Sequence, residues 1–256
     1  MVMLTWLLGW FIKARFFVDY LFIHFVKYPI LHALFPKFFL NPYVAQFFYF
    51  FPVVVLSCFF SSKKADYKLI SVLMMVCSAI LCWHINTYND ATFVTSFWVA
   101  LWLFWFSCHG DHEGQQFYLH ACVLAQCIVG MIFLGGLVGK LTPEYYSGEA
   151  IYNIFIKDRM YWPFSLIREI FSLPQQHSLA MLASRVIILG EAILALAAVC
   201  PLPFVCVVFV WMVVGLVIFC TWMILSVLLC LLGMLLACLW LRRKTFQDYS
   251  RSLNIS

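Results

Sequence analysis

Long apolar runs separated by short polar loops make up most of the chain between residues 43 and 241. A helix needs about 20 apolar residues to cross the hydrocarbon core of a bilayer. Five runs fall in this range by themselves, near residues 43–60, 69–87, 92–108, 117–139 and 179–200. The pattern therefore predicts an all-α, polytopic transmembrane helical bundle.

Residues 203–241 form a further apolar block about twice as long as one span. As a straight helix this block would be ~58 Å long, whereas the hydrocarbon core of a bilayer is about 30 Å thick. We therefore predict that it folds back as a hairpin near Cys220 to Trp222. The hairpin brings the predicted number of spans to seven.

The first 40 residues interleave aromatic and charged side chains, among them Lys13, Arg15, Asp19 and Lys27. Each charge at the centre of a membrane helix costs roughly 2.5–3.5 kcal/mol. This favours an amphipathic helix that lies in the membrane interface, with a first spanning helix as the alternative. The predicted organisation is thus an interfacial segment over 1–40, a transmembrane domain over 41–241 and a tail over 242–256.

Composition excludes an ordinary water-soluble domain. The chain is 65% hydrophobic and 11% charged, with a mean hydropathy of +0.97, whereas soluble domains are about 25% charged. The net charge of +5 is small, and the basic residues are scattered over short loops. This distribution fits the positive-inside rule and does not suggest nucleic-acid binding, so the predicted partner is the lipid bilayer.

The basic residues also predict an orientation. The two densest clusters are the loop with Lys63, Lys64 and Lys68 and the tail residues 242–244. Both clusters are predicted to be cytoplasmic, which places the C-terminus in the cytoplasm. If both clusters lie on the same side, the chain must cross the membrane an even number of times between them. This number is even only if residues 203–241 cross twice. The long loop 140–178 then faces the opposite side of the membrane.

Cysteine and histidine residues predict no metal site. Most of the 11 cysteines lie inside apolar runs and no CxxC pair occurs, so they are interpreted as apolar packing residues. The segment from Cys108 to Glu113, with His120 further on, combines thiol, imidazole and carboxylate groups that could bind Zn or Cu. Its spacing matches no structural zinc pattern, and a polar cytoplasmic turn is the preferred interpretation.

The first candidate site lies at the end of the fourth run. Gly135, Gly136 and Gly139 allow another backbone to approach closely in lipid, and Lys140 follows them at the predicted outer end of the span. Partial loss of hydration favours a neutral amine, which makes Lys140 a candidate base. The alternative is a lysine that reaches water from a helix end. Tyr145 follows at the same depth, where it fits an aromatic belt.

The fifth run carries two ionisable residues, Arg185 and Glu191. Such residues inside apolar helices usually face a bundle interior or a cavity. Six residues apart, they lie on different faces of the helix and need different partners. Arg185 could hold an anionic group beside Lys140, or anchor the helix at the interface. Glu191 could act in the site or form a structural interhelix hydrogen bond, and His84 could face the same cavity or simply pack.

Residues 136–141 read Gly-Leu-Val-Gly-Lys-Leu, followed by the pair Tyr145–Tyr146 and by Ser-Gly-Glu-Ala-Ile-Tyr at 147–152. This stretch resembles the signature of the HTTM family, the membrane domain shared by vitamin K-dependent gamma-carboxylases and SdpB-like toxin-maturation proteins. DoxX-type proteins are more distant relatives. The resemblance implies that Lys140 is a base acting on a quinone-like ligand.

The chain departs from the carboxylase pattern in four respects. Gly139 replaces the first lysine of the motif, and Gly136 lies one residue early. Residues 88–90 read Tyr-Asn-Asp where the carboxylases have Asn-Asn-His, and the large lumenal domain is missing from this sequence. We therefore do not predict glutamate carboxylation.

Three functions remain open. The first is a membrane-embedded enzyme or maturation factor of HTTM type, with catalytic candidates Lys140, Glu149 and Glu191 and substrate-binding candidates Arg185, Tyr145 and His84. The second is a DoxX-like, quinone-linked membrane subunit with a peripheral redox protein as partner. The third is a non-catalytic scaffold or assembly subunit in which the charges only pair helices. No nucleotide-binding loop, nucleophile elbow or HExxH helix occurs.

Overall fold

A computed structural model of the chain describes residues 1–23, 41–60, 66–84, 90–109, 114–157, 162–197 and 222–253. These residues are almost entirely helical and include no β-strand, which confirms the predicted all-α class. A single turn of π-helix, Tyr152–Ile156, lies between α7 and α8. The α-helices are α1 Val2–Ile23, α2 Pro42–Phe60, α3 Tyr67–Trp83, α4 Ala91–His109, α5 Gln115–Lys140, α6 Pro143–Tyr146, α7 Glu149–Ile151, α8 Trp162–Ile170, α9 Leu173–Ala197 and α10 Trp222–Leu253.

Four described segments are long and apolar enough to cross a membrane. They lie in α4, α5, α9 and α10, at Ala91–His109, Gln116–Lys140, Leu173–Leu196 and Leu225–Arg243. The apolar helical segments Val2–Ala14, Pro42–Cys58 and Tyr67–Trp83 are shorter. The helices α2, α3, α4, α5 and α9 coincide within a few residues with the five predicted runs. Seven spans stay a prediction. Of the predicted hairpin turn near Cys220 to Trp222, Trp222 is the first residue of α10, and residues 198–221 lie outside the described residues.

The chain divides into two compact units. The first unit comprises Met1–Ile128 and Val210–Ser256, and the second comprises Val129–Phe209.

In the first unit, α1 packs against α10 at very short range. A Cβ atom on Gly9 would lie 2.7 Å from the carbonyl oxygen of Ser226, and one on Gly233 would overlap the side chain of Thr5. Glycine at both positions therefore allows the two backbones to approach. Trp6 has no exposed surface and stacks on Trp10 with the ring centroids 4.1 Å apart. Residues 2–14 thus contribute to the core of this unit, while the interfacial position of residues 1–40 stays a prediction.

Polar contacts also hold α1 in the first unit. The Lys13 ammonium forms a 2.8 Å ion pair with Asp90, and the lysine side chain is 3% exposed. The indole N–H of Trp10 donates to the Ser96 hydroxyl at 2.7 Å. Because an isolated charge is expensive in a low-dielectric interior, the pair explains how Lys13 can be buried.

In the second unit, short helices pack against α9. Ile151, Ile156 and Ala180 form its buried centre. Gly148 adopts a left-handed conformation with φ +84°, and a Cβ atom there would lie 2.3 Å from the Met181 backbone nitrogen. Pro163 lies in the first turn of α8. Proline is tolerated there because its missing N–H would have no helical partner.

The tail continues the last helix. α10 extends through Arg242 and Arg243 as far as Leu253, without a break at the predicted boundary of the transmembrane domain. The predicted tail 242–256 is therefore helical up to Leu253. Residues 254–256 lie outside the described part of the chain.

Candidate functional site

Lys140 is the last residue of α5 and pairs with a carboxylate on α9. Its Nζ donates to Oε1 of Glu191 at 2.7 Å and to the carbonyl oxygen of Gly136 at 3.3 Å. Gly136 lies one turn earlier on α5, so the lysine side chain folds back along its own helix. The ammonium thus contacts a carbonyl of α5 and a carboxylate of α9, and it joins two helices of the second unit.

The two oxygens of Glu191 have different environments. Oε1 accepts from Lys140, whereas Oε2 is buried and has no hydrogen-bond partner among the described residues. The side chains of Lys140 and Glu191 are 22% and 16% exposed. A buried oxygen without a donor is energetically unfavourable. Oε2 is therefore the polar atom of this pair whose hydrogen-bonding capacity is left unused among the described residues.

Tyr145 lies beside this ion pair. The Lys140 Nζ is 5.8 Å from the centroid of the Tyr145 ring, at the outer limit for a cation–π contact. The backbone N–H of Tyr145 donates to the Thr142 hydroxyl at 3.3 Å, and the Ser184 hydroxyl of α9 donates to its carbonyl. These contacts fix the tyrosine against α9 next to the lysine.

Arg185 contacts a different tyrosine. Its guanidinium carbon lies 4.9 Å above the ring centroid of Tyr146, and Arg185 is exposed. Glu191 meanwhile contacts Lys140, so the two ionisable residues of α9 have separate partners, as their six-residue spacing predicts. Tyr146 and Ser184 were not among the predicted site residues. Tyr146 is part of the aromatic pair at 145–146 that contributes to the family resemblance, and Ser184 immediately precedes Arg185.

Two predicted site residues have other surroundings. Glu149 is exposed at the start of α7, and its backbone N–H donates to the Ser147 hydroxyl at 3.4 Å. His84 belongs to the first unit, where it is fully buried and its Nε2 lies 3.1 Å from the carbonyl oxygen of Asn41. A catalytic role for Glu149 and a substrate-binding role for His84 stay predictions.

No cluster of three or more His, Cys, Asp or Glu side chains that could bind a metal occurs in the described ranges. Residues 110–113 of the histidine-containing turn lie outside those ranges. At the start of this turn, His109 Nδ1 lies 2.9 Å from the carbonyl oxygen of Trp105. This contact is within one helix, one turn back along α4.

No family model, curated protein or solved structure matches the chain. The site combines an amine, a carboxylate and a phenol ring at one end of α5. An amine paired with a carboxylate can accept or release a proton. This chemistry requires neither a metal nor a nucleophilic side chain.

Gly136 offers a direct test of how tightly the carboxylate is held. A Cβ atom at this position would lie 3.1 Å from Glu191 Oε2, whereas Gly139 has no atom within 4 Å of its own Cβ position. Both Gly→Ala changes gain similar helix propensity. We expect Gly136→Ala to be about 1 kcal/mol less stable than Gly139→Ala, because it displaces the carboxylate. Thermal unfolding of the two purified variants in detergent measures this difference, and equal midpoints would contradict it.

Proposed function

We propose that the chain is a multi-pass membrane protein of HTTM type that exchanges a proton with a lipid-soluble ligand at the end of α5. One observation carries the proposal: Lys140 and Glu191 form a half-buried ion pair in which one carboxylate oxygen has no hydrogen-bond partner among the described residues. The proposal includes seven spans, an outward-facing site and a cytoplasmic C-terminus.

Lys140 can act as a base only in its neutral form. Transfer of a proton from Nζ to Glu191 leaves an amine beside a carboxylic acid. Where water is excluded, the ammonium–carboxylate pair loses its solvation. The difference in free energy between this charged pair and the neutral amine–carboxylic acid pair therefore becomes smaller. The amine then accepts the proton of a ligand hydroxyl, which leaves an ammonium beside an oxyanion. Glu191 therefore serves as the proton acceptor that prepares the base.

The proposed ligand is quinone-like and is taken up in its hydroquinone form. A hydroquinone carries an acidic hydroxyl for Lys140 and an apolar ring that can pack on an aromatic residue such as Tyr145. The resemblance of residues 136–152 to the HTTM signature supports the same ligand class. The exposed Arg185 on α9 offers a positive charge for an anionic group.

A second candidate function is a non-catalytic assembly subunit. It is favoured by the 2.7 Å distance between Lys140 and Glu191, because the ammonium already has a carboxylate and a carbonyl as acceptors. In this case the ion pair only joins α5 to α9. The first function requires a lysine at position 140. For the second function, any pair of opposite charges between α5 and α9 suffices.

Binding of a short-chain hydroquinone tests the first function. We expect Lys140→Met to weaken binding at least about tenfold, because it removes about 1.4 kcal/mol or more of interaction with the hydroxyl. Lys157→Met is the matched control, since Lys157 is an exposed lysine of the same unit, and it should bind as the unmodified protein does. Quenching of tryptophan fluorescence during titration in detergent measures both affinities.

The charge-exchanged double variant Lys140→Glu/Glu191→Lys separates the two functions. It preserves a pair between α5 and α9 but removes the amine from the end of α5. Under the proposed function it keeps its thermal stability and loses hydroquinone binding. Retention of full binding by this variant would contradict a base at position 140 and would support the assembly subunit.

A further inference from the structure

Contacts between side chains fix the relative directions of three helices in the first unit. The Thr92 hydroxyl of α4 lies 2.8 Å from the Ser226 hydroxyl of α10. One turn further along both helices, the Ser96 hydroxyl lies 3.8 Å from the Cys230 sulfur. α4 and α10 therefore run parallel. Because α3 packs against α4 and only the short link 84–90 separates them, α3 runs antiparallel to both. The start of α3 thus lies at the same end of the unit as the end of α4 and the last turns of α10.

Exposed cations gather at this end of the first unit. Counted along the two parallel helices, Arg243 of α10 lies level with His109, the last residue of α4. Arg242 and Arg243 are both exposed, and so is Lys68 in the first turn of α3. Neither Lys68 nor Arg243 pairs with a carboxylate among the described residues. The acidic side chain described at this end, Asp66, accepts from two backbone N–H groups of α3. We call Lys68, Arg242 and Arg243 the basic rim.

The opposite end of the first unit has a different charge. The charged side chains described there are Lys13 and Asp90, which pair with each other at 2.8 Å. This pair has no net charge and is largely withdrawn from solvent. The described side chains therefore leave positive charge unpaired at the basic rim and not at the other end.

The basic rim also coincides with the ends of apolar helical segments. The apolar segment of α10 ends at Arg243, and that of α3 begins at Tyr67. Exposed aromatic side chains accompany the cations, because Trp240 and Tyr67 are each 59% exposed. Aromatic side chains concentrate at the depth of the lipid headgroups. The cations of the rim are thus at the depth of lipid phosphates, next to apolar surface for acyl chains.

We propose that the basic rim binds anionic phospholipids, with Arg242 and Arg243 as the main contacts to the headgroup. A guanidinium can donate two parallel hydrogen bonds to phosphate or carboxylate oxygens, and Lys68 adds a further positive charge. The predicted cytoplasmic side of this end agrees with the proposal, since anionic lipids concentrate in the cytoplasmic leaflet. The proposal shares the placement in a membrane with the proposed function, but it does not depend on the site at Lys140.

The test uses the full chain in phosphatidylcholine vesicles that contain either brominated phosphatidylserine or brominated phosphatidylcholine. Bromine on an acyl chain quenches the fluorescence of tryptophans that it contacts. We expect stronger quenching by the brominated phosphatidylserine, because this lipid collects beside Trp240. Trp240→Phe should remove most of the difference between the two lipids. Trp83→Phe is the matched control, since Trp83 is 68% exposed at the opposite end of the unit, and it should keep the difference.

Two further measurements assign the preference to charge. Arg242→Gln/Arg243→Gln should lower the relative affinity for phosphatidylserine at least about tenfold, since each cation near the membrane surface contributes roughly fivefold. Lys157→Gln removes an exposed cation of the second unit and should keep the affinity. In the unmodified chain, which needs no substitution to fold, sodium chloride should weaken the preference. Inorganic phosphate at the same ionic strength should displace no more lipid than chloride does.

Four results would overturn the proposal. The first is equal quenching by the two brominated lipids in the unmodified chain. The second is an unchanged preference in the double arginine variant or at high salt. The third is a preference that Trp83→Phe removes and Trp240→Phe keeps, which would place the lipid at the other end of the unit. The fourth is stronger displacement by phosphate than by chloride, which would make the rim a site for free phosphate.

Discussion

Gly148→Ala is expected to lower the free energy of unfolding by about 3–5 kcal/mol. Two effects add at this position. The φ of +84° is unfavourable for any residue with a Cβ atom, and that atom would lie 2.3 Å from the backbone nitrogen and 2.5 Å from the Cα of Met181. Backbone atoms of a helix cannot move aside as a flexible side chain can. Thermal unfolding in detergent, followed by tryptophan fluorescence, measures the effect.

Two variants control this prediction. Gly190→Ala, also in the second unit, has no atom within 4 Å of the new Cβ position and should unfold like the unmodified chain. Gly148→Asn separates the two effects, since asparagine tolerates a positive φ but still carries a Cβ atom. It should remain nearly as unstable as Gly148→Ala. Recovery of stability in Gly148→Asn would show that backbone strain, and not contact with α9, dominates.

Asp90→Asn is expected to destabilise the first unit by about 3 kcal/mol, because it removes the carboxylate that pairs with the buried Lys13. The substitution is nearly isosteric. It also retains an oxygen for the Thr92 N–H, which donates to Asp90 Oδ1 at 2.8 Å. The stability lost in Asp90→Asn therefore measures the contribution of the ion pair, and not that of the hydrogen bond at the start of α4. Thermal unfolding in detergent detects it as a lowered midpoint.

The matched control for this prediction is Asp66→Asn. Asp66 occupies the equivalent position before α3, where Oδ1 accepts from the Lys68 and Leu69 N–H groups, but it is exposed. It should change stability by less than about 0.5 kcal/mol. The double variant Lys13→Met/Asp90→Asn should recover most of the lost stability, because no uncompensated charge remains. A double variant as unstable as Asp90→Asn would contradict the importance of the pair.

The positions of the helices could be predicted from the sequence because apolar runs and polar loops alternate clearly. The rotation of each helix could not. α9 is apolar around much of its circumference, and its hydropathy does not indicate which side faces α5. The sequence identified Lys140, Arg185 and Glu191 as unusual residues and predicted that the last two need separate partners. It did not predict that Glu191 pairs with Lys140 or that Arg185 lies over Tyr146.

The packing of α1 in the first unit could not be predicted from the sequence pattern either. Lys13 has several charged neighbours along the chain, and such a pattern is typical of a helix at a membrane surface. Its partner Asp90 lies 77 residues away, and hydropathy carries no information on distant pairs. The close contacts at Gly9 and Gly233 could not be predicted for the same reason. A glycine in an apolar helix indicates a close approach only when the neighbouring helix is known.

The packing of α1 against α10 has a consequence for biosynthesis. The contact at Gly9 is with Ser226, so α1 is synthesised long before α10, the helix that it packs against. Until then the indole rings of Trp6 and Trp10 have no such cover. A nascent chain arrested before residue 222 should therefore expose α1 to proteases and quality-control factors, whereas a chain that includes α10 should protect it.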